Sequence, residues 1–183
     1  YMIVGLIGSG GREHAICESL KKSSKINKIF CFPGNAGTAD IASNIILDLD
    51  NFKTIKEFVL ENKIDLVVVG PEKPLVDGLV DYLEEFNIKV FGPNKYAAKL
   101  EGSKAFMKKI CEKNNIPTAK FKICSKKKHV SNFLQTCKYP VVVKADGLAS
   151  GKGVTICKTQ KKVLDISFEI LNGKFKSSRK LIL

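Results

Sequence analysis

Tryptophan is absent from the 183-residue sequence, histidine and methionine occur twice each, and arginine occurs only twice beside 29 lysines. The six cysteines, at positions 17, 31, 111, 124, 137 and 157, stand far apart. None forms a Cys-x-x-Cys or Cys/His pair with metal-ligand spacing, which excludes a zinc framework and a disulfide scaffold and leaves reduced, mostly buried thiols. No apolar run approaches the roughly 20 residues of a bilayer span. No charged, apolar and small-residue succession at the start resembles a signal peptide, so a soluble cytoplasmic protein without a membrane partner is expected. The formal charge of +13 invites a nucleic-acid reading. Against it stand the scarcity of arginine, the lack of any basic motif interleaved with aromatics, and a lysine excess spread along the chain, with only Lys126-Lys127-Lys128 forming a triplet. No nucleic-acid partner is expected.

What is present is centred on Val141-Val142-Val143-Lys144-Ala145-Asp146-Gly147-Leu148-Ala149-Ser150-Gly151-Lys152-Gly153-Val154. A β-branched run delivers Lys144, a loop with three glycines delivers Lys152, and Val154-Thr155-Ile156-Cys157 carries the chain back. This reads as a β-hairpin with a phosphate loop at its tip. Glycine lets the backbone approach an anion and turn its N–H groups inward, while lysine supplies compact charge for phosphoryl oxygens. It is not a Walker A loop, because Lys152 is followed by Gly153 and a strand rather than by Ser/Thr and a helix. The competing reading is a flexible hairpin with solvated lysines.

The amino-terminal half alternates strands and helices. Residues 2–7 form a buried-strand run that feeds Gly8-Ser9-Gly10-Gly11-Arg12-Glu13-His14 and then an apolar helical stripe, the opening of a Rossmann-like βαβ unit with a phosphate-ready turn. A dinucleotide is not its guest: the third fingerprint glycine is replaced by Glu13, and the second strand, 28–32, ends in Pro33-Gly34-Asn35-Ala36-Gly37-Thr38 instead of an acid. Strands are expected at 44–49, 65–69 and 89–93 and helices at 52–61 and 75–86. Glu72, in Gly70-Pro71-Glu72-Lys73-Pro74, is either a ligand for a ribose hydroxyl or an amine, or the acidic start of the next helix. Three loops thus converge on one edge of an open parallel sheet. Beyond it, helices are expected at 95–100 and 103–115, with Ser103 as N-cap, a strand at 119–124, a solvated loop at the lysine triplet, helices at 130–136 and 159–172, and a strand opening at 180. Lys104 lies in a helical first turn, where the dipole disfavours a cation, and Lys108 lies one turn on. A cation placed there suggests an anionic partner. His14 is either a phosphate or amine partner or a packed helix residue; His129 is solvated.

Taken together, Gly8 to Ala15, Pro33 to Ala39, Asp65 to Glu72, Phe91-Gly92-Pro93, Gly102 to Lys108 and Val142 to Val154 resemble, in order and spacing, the amino-terminal part of the glycinamide ribonucleotide synthetase (phosphoribosylamine-glycine ligase) family of ATP-grasp ligases. The resemblance implies an α/β fold: a Rossmann-like domain over 1–94, a helical linker and the start of the ATP-grasp domain over 95–122, and a small ATP-grasp subdomain over 123–183. It implies joining of glycine to 5-phosphoribosylamine, driven by ATP with Mg²⁺ or Mn²⁺. Lys104, Lys144, Gly147, Ser150, Gly151, Lys152 and Gly153 are the implied ATP-binding residues. Gly8, Gly10, Gly11, Arg12, Glu13, Asn35, Ala36, Gly37 and Glu72 are those of the phosphoribosylamine pocket. The adenine-contacting segment and the metal ligands are expected beyond Leu183, so the 183 residues alone should not turn over. Fusion to, or association with, later purine-pathway enzymes is compatible with the family. Two alternatives are another ATP-grasp carboxylate-amine ligase and a non-catalytic nucleotide-binding module.

Overall fold

The computed structural model describes residues 1–149, 151–175 and 179–183. The chain divides into two compact units, Tyr1–Ala98 and Lys99–Leu183.

In the first unit β1 (Met2–Gly8), α1 (Gly11–Lys21), β2 (Ile26–Pro33), α2 (Ala36–Ala39), β3 (Ser43–Asn44), α3 (Phe52–Glu61), β4 (Leu66–Val69), α4 (Glu72–Asp77), α5 (Leu79–Glu84) and β5 (Val90–Phe91) follow in order, and α6 (Lys95–Gly102) opens at its end. The strands form one parallel sheet in the order β3-β2-β1-β4-β5. Central parallel strands are covered on both faces, which is why β1, β2 and β4 read as continuous apolar runs. Successive residues serve opposite layers. Ile7, Phe30, Phe32, Val67 and Val69 pack with Ile55 and Val59 of α3 and Leu79, Val80 and Leu83 of α5. Val4, Leu6, Ile29, Cys31 and Val68 pack with Cys17 of α1 on the other face.

Three expectations change here. The third strand pairs only at Ser43 and Asn44. Beyond them Ile45, Leu47 and Leu49 still pack on the core while Ile46 is 91% exposed, so the alternation outlasts the ladder at the sheet edge. The helix expected at 75–86 starts at Glu72 and is split by Gly78, whose φ of 101° is left-handed and whose N–H bonds the carbonyls of Pro74 and Leu75. The loop after β2 closes into α2, which Asn35 caps.

In the second unit α7 (Lys104–Lys113), β6 (Ile123–Cys124), α8 (Lys127–Leu134), β7 (Val141–Ala145), β8 (Val154–Cys157), α9 (Gln160–Leu171) and β9 (Leu181–Ile182) build an antiparallel sheet in the order β6-β9-β7-β8. Alternation on β7 sends Val141, Val143 and Ala145 into a core with Val130 of α8, Val163 and Ile170 of α9, Cys157 and Leu181. The strand expected at 119–124 is reduced to Ile123–Cys124. The lysine triplet is not a loop: Lys126 is the N-cap of α8, and Lys127 and Lys128 form its first turn, with Lys127 Nζ 4.7 Å from the Phe168 ring centre.

The charge is also less evenly spread than expected. The first unit carries 11 basic against 13 acidic residues and the second 20 against 5, so the net charges are −2 and +15.

Candidate functional site

The first unit's candidate site lies at the carboxyl edge of its sheet, where β1 lies between β2 and β4 and the strand order reverses direction, the place such folds bind ligands. The ladder runs on into the loops: Gly34 N–H donates to Gly8 O at 3.1 Å and Gly70 N–H to Ile7 O at 3.1 Å. Three loops are thereby held side by side.

Glu13 ties them. It is 3% exposed; its Oε2 accepts the Gly10 N–H at 2.7 Å and its Oε1 accepts Arg12 Nε–H at 2.9 Å. Its side chain occupies the space that a Cβ at Gly8, Gly10 or Gly70 would need. The residue that replaces the dinucleotide fingerprint's third glycine therefore props the turn from inside and presents no carboxylate to the edge. Arg12 reaches across to the third loop, its Nη1 donating to Glu72 Oε1 at 2.9 Å. Hydrogen bonds to Glu72 and then Glu13 hold the guanidinium above its ordinary value, and the bond from Arg12 is the main cause that lowers Glu72. Both Arg12 and Glu72 keep about half of their side chains in solvent, at 52% and 42%. Glu72 begins α4, as its helix-start reading expected, and stands at the edge as half of an ion pair with Arg12.

Asn35 closes the second loop on the first. Its Nδ2 donates to Ser9 O at 3.0 Å and Gly10 O at 3.3 Å, while its Oδ1 accepts the Thr38 N–H at 3.0 Å. Thr38 is fully buried with its hydroxyl 2.8 Å from Asn44 Oδ1, and Asn44 Nδ2 donates to Asn35 O at 2.7 Å. Thr38 belongs to the second loop but was not expected as a site residue, and Asn44 carries no motif; their bonds to Asn35 were not legible in the sequence. The His14 ring lies where a Cβ on Gly37 would stand, which makes His14 a packing neighbour of the loop. Gly11 and Ala36 start helices α1 and α2. A groove of about 260 Å³, lined by Lys21, Lys28, Asp40 and Ile41 among others, contains none of the residues expected to bind.

In the second unit Ser103 caps α7, its Oγ accepting the Phe106 N–H at 3.1 Å. The same hydroxyl lies 3.1 and 3.2 Å from the two carboxylate oxygens of Asp146, and Asp146 Oδ1 also accepts the Ala105 N–H at 3.1 Å. Lys104 Nζ donates to Gly147 O at 2.9 Å. Asp146 is 7% exposed and was not singled out from sequence. Lys144 lies on the sheet face opposite the core, where register places Val142 opposite Ile156 and Lys144 opposite Val154. Val154 and Ile156 are 48% and 66% exposed, so this lysine stands on an apolar, open surface.

The hairpin loop needs its glycines. Gly147 and Gly151 have φ of 83° and 76°, and a Cβ on Gly153 would stand 2.7 Å from Ala149 Cβ. Lys152 is exposed, with its backbone N–H donating to Ala149 O at 2.8 Å; Ser150 lies outside the described residues. Lys108 is unlike Lys104. Only 7% exposed, it donates to Thr118 Oγ1 at 2.6 Å and Ala119 O at 3.0 Å, so it fastens the segment after α7 and is not available to an anion. Among the described residues no helix is long and apolar enough to cross a membrane, and no three His, Cys, Asp or Glu side chains are grouped to hold a metal ion.

The parallel sheet is followed by an antiparallel sheet whose hairpin carries Lys144 and Gly151-Lys152-Gly153, and this second part of the chain matches an ATP-grasp domain. Family models sharpen this: residues 2–101 match the phosphoribosylglycinamide synthetase N domain and residues 102–183 match the ATP-grasp (A) domain of the same synthetase. The chain belongs to the phosphoribosylglycinamide synthetase family. It is 48% identical over 168 residues to the phosphoribosylamine–glycine ligase of Caldanaerobacter subterraneus subsp. tengcongensis, covering 90% of this chain and 40% of that one. The bifunctional purine biosynthetic protein ADE1 of Schizosaccharomyces pombe is 43% identical over 185 residues, covering 98% of this chain and 24% of its own. The crystal structure of the phosphoribosylamine–glycine ligase of Thermotoga maritima superposes with a TM-score of 0.79 at 29% identity, over 99% of this chain and 43% of that one. The chain thus spans about 40% of the length of the ligases it matches.

Proposed function

We propose that the chain supplies the phosphoribosylamine pocket and the phosphate-binding half of the ATP site of a cytoplasmic ligase that joins glycine to 5-phosphoribosylamine. ATP transfers its γ-phosphoryl group to the glycine carboxylate, giving glycyl phosphate and ADP. The amine of phosphoribosylamine then attacks the acyl carbon and expels phosphate, leaving glycinamide ribonucleotide. Catalysis of this kind rests on neutralising polyphosphate charge and holding reactants in line.

The observation that carries the ATP reading is the second unit's cation arrangement. Lys104 is fixed at the start of α7 against the root of the hairpin loop, and Lys144 stands on an exposed apolar face of the adjoining sheet. Lys104 and Lys144 hold α and β phosphates in this reading, and Gly147, Ser150, Gly151, Lys152 and Gly153 surround the β and γ phosphates. Mg²⁺ travels with the polyphosphate, and among the described residues no three His, Cys, Asp or Glu side chains are grouped to hold it. In the first unit the phosphate of phosphoribosylamine meets the N-terminus of α1 at Gly10 and Gly11, bounded by Gly8, Ala36 and Gly37. The exposed parts of Arg12 and Glu72 face the ribose, with Glu13 supporting Arg12 and Asn35 supporting the Ser9-Gly10 turn. In this reading residues 1–94 bind phosphoribosylamine, 95–122 are the helical linker and start of the ATP-grasp domain, and 123–183 are its small subdomain.

Titration of the chain with MgATP tests the nucleotide half. Saturable binding that Lys144→Met weakens at least tenfold is expected, since a lysine–phosphate contact contributes at least the roughly 1.4 kcal/mol of a tenfold change. Absence of binding, or binding indifferent to Lys144, contradicts it.

A further inference from the structure

Asp146 belongs to the hairpin, yet among the described residues the hydrogen-bond partners of its carboxylate lie 41 to 43 residues earlier in the chain. The Ser103 hydroxyl is 3.1 and 3.2 Å from its oxygens, and the Ala105 N–H donates to Oδ1 at 3.1 Å. Its own N–H donates to Lys180 O at 3.0 Å, and the next residue, Gly147, accepts Lys104 Nζ at 2.9 Å. Residues 146 and 147 therefore grip residues 103 to 105 in register. Capping alone does not account for this. Ser103 already satisfies the Phe106 N–H, and the first turn of α7 contains no acidic residue of its own while it carries Lys104, a cation at the positive end of the helix. A buried carboxylate from the end of β7 offsets that unfavourable placement. It also fixes the backbone of Lys104 relative to the strand that, two residues earlier, carries Lys144.

We propose that Asp146 is a positioning residue of the ATP site: through Ser103 and the N-terminus of α7 it sets the spacing of Lys104 from Lys144, so that both ammonium groups are in place for one polyphosphate. This rests on the ATP reading given above. The Lys104–Gly147 bond is the resting contact of an ammonium that a phosphate takes over. Asp146 holds the helix end in place while that exchange occurs, so it touches the lysine's backbone setting and not the nucleotide.

The test is a set of MgATP titrations on the 183-residue chain, with a thermal melt of each variant. Asp146→Asn keeps the shape and the acceptor for Ala105 while removing the charge. It is expected to weaken MgATP about tenfold, the size of a charged hydrogen bond converted to affinity. Coupling separates positioning from general loosening. Asp146→Asn in a Lys104→Met background should cost less than twofold more, because the lysine it positions is gone, whereas with Lys152→Met the two losses should multiply. If Asp146→Asn does not fold, Ser103→Ala breaks the hydroxyl link while leaving the Ala105 bond, and the same non-additivity with Lys104→Met is expected. Wild-type binding unchanged in Asp146→Asn, or losses that multiply with Lys104→Met, overturns the inference and leaves the ATP reading standing. A wild-type chain without saturable MgATP binding overturns both.

Discussion

At the scale of the residue, Glu13 shows how a motif can be read correctly as an absence and incompletely as a presence. Its place in Gly8-Ser9-Gly10-Gly11-Arg12-Glu13 excludes a dinucleotide on sequence grounds. Its actual work, accepting the Gly10 N–H and Arg12 Nε–H inside a space bounded by Gly8 and Gly70, depends on a loop 57 residues away that no local pattern reveals. Arg12 and Glu72, by contrast, were legible as candidates, but their pairing was not. That pairing has a pH signature. Arg12 lowers Glu72 below its usual range, so the pair stabilises the fold above the unfolded glutamate value of about 4.3 and ceases to do so as pH falls through the lower folded value. Both side chains are about half exposed, so the contribution is at most about 1 kcal/mol. Urea midpoints of wild type and Glu72→Gln should differ at pH 7 and converge as the pH falls below the lowered Glu72 value; a gap that does not narrow with falling pH contradicts the assignment. The buried thiols Cys17 and Cys31, 3.7 Å apart at Sγ, are raised chiefly by desolvation, Cys31 to about 12, which accords with the inert reduced cysteines expected from their spacing.

At the scale of the element, what was legible followed burial. The runs of β1, β2, β4 and β7, the helix at 52–61 and the Ser103 cap appear where period and capping chemistry place them, because each answers to local sequence alone. The edge elements were misjudged for a physical reason. Apolar alternation at 45–49 reports packing rather than pairing, and a ladder requires a neighbour that β2 provides only at Phe30 and Cys31. Likewise Gly78 inside a helical pattern splits the helix because its left-handed conformation ends α4 before α5 begins. Glycines at the site are required for space as well as for φ. Gly70→Ala would drive a Cβ into the pinned Glu13 carboxylate and is expected to destabilise the first unit by about 1–3 kcal/mol. Gly11→Ala, with nothing within 4 Å of the added Cβ, should change stability by less than about 1 kcal/mol. Chemical denaturation of the pair checks this, and equal losses would contradict the role given to Glu13.

At the scale of the whole molecule, the charge total of +13 concealed a division that becomes visible only when the unit boundary is known. Compositional drift would enrich lysine in both units, yet the first is slightly acidic and the second carries 20 basic residues against 5 acidic ones. A strongly positive second unit fits the proposed polyphosphate guest and raises its local concentration. The parallel sheet, the loops at its edge and the hairpin were legible from strand–helix alternation and the β-branched runs; the order of the strands in either sheet was not. The clamp of Asp146 on α7 was not, because it joins segments 41 residues apart and the sequence marks neither end as a pair. The measurement that bears most directly on the ligase reading is a thermal-shift comparison of the chain with glycinamide ribonucleotide, MgATP and NAD, each added separately. A ligand at about a hundred times its dissociation constant adds roughly 2.7 kcal/mol, or several degrees at about 2–4 °C per kcal/mol. The account predicts a rise of that size with glycinamide ribonucleotide, abolished by Arg12→Ala, and none with NAD; stabilisation by NAD without the ribonucleotide would contradict it.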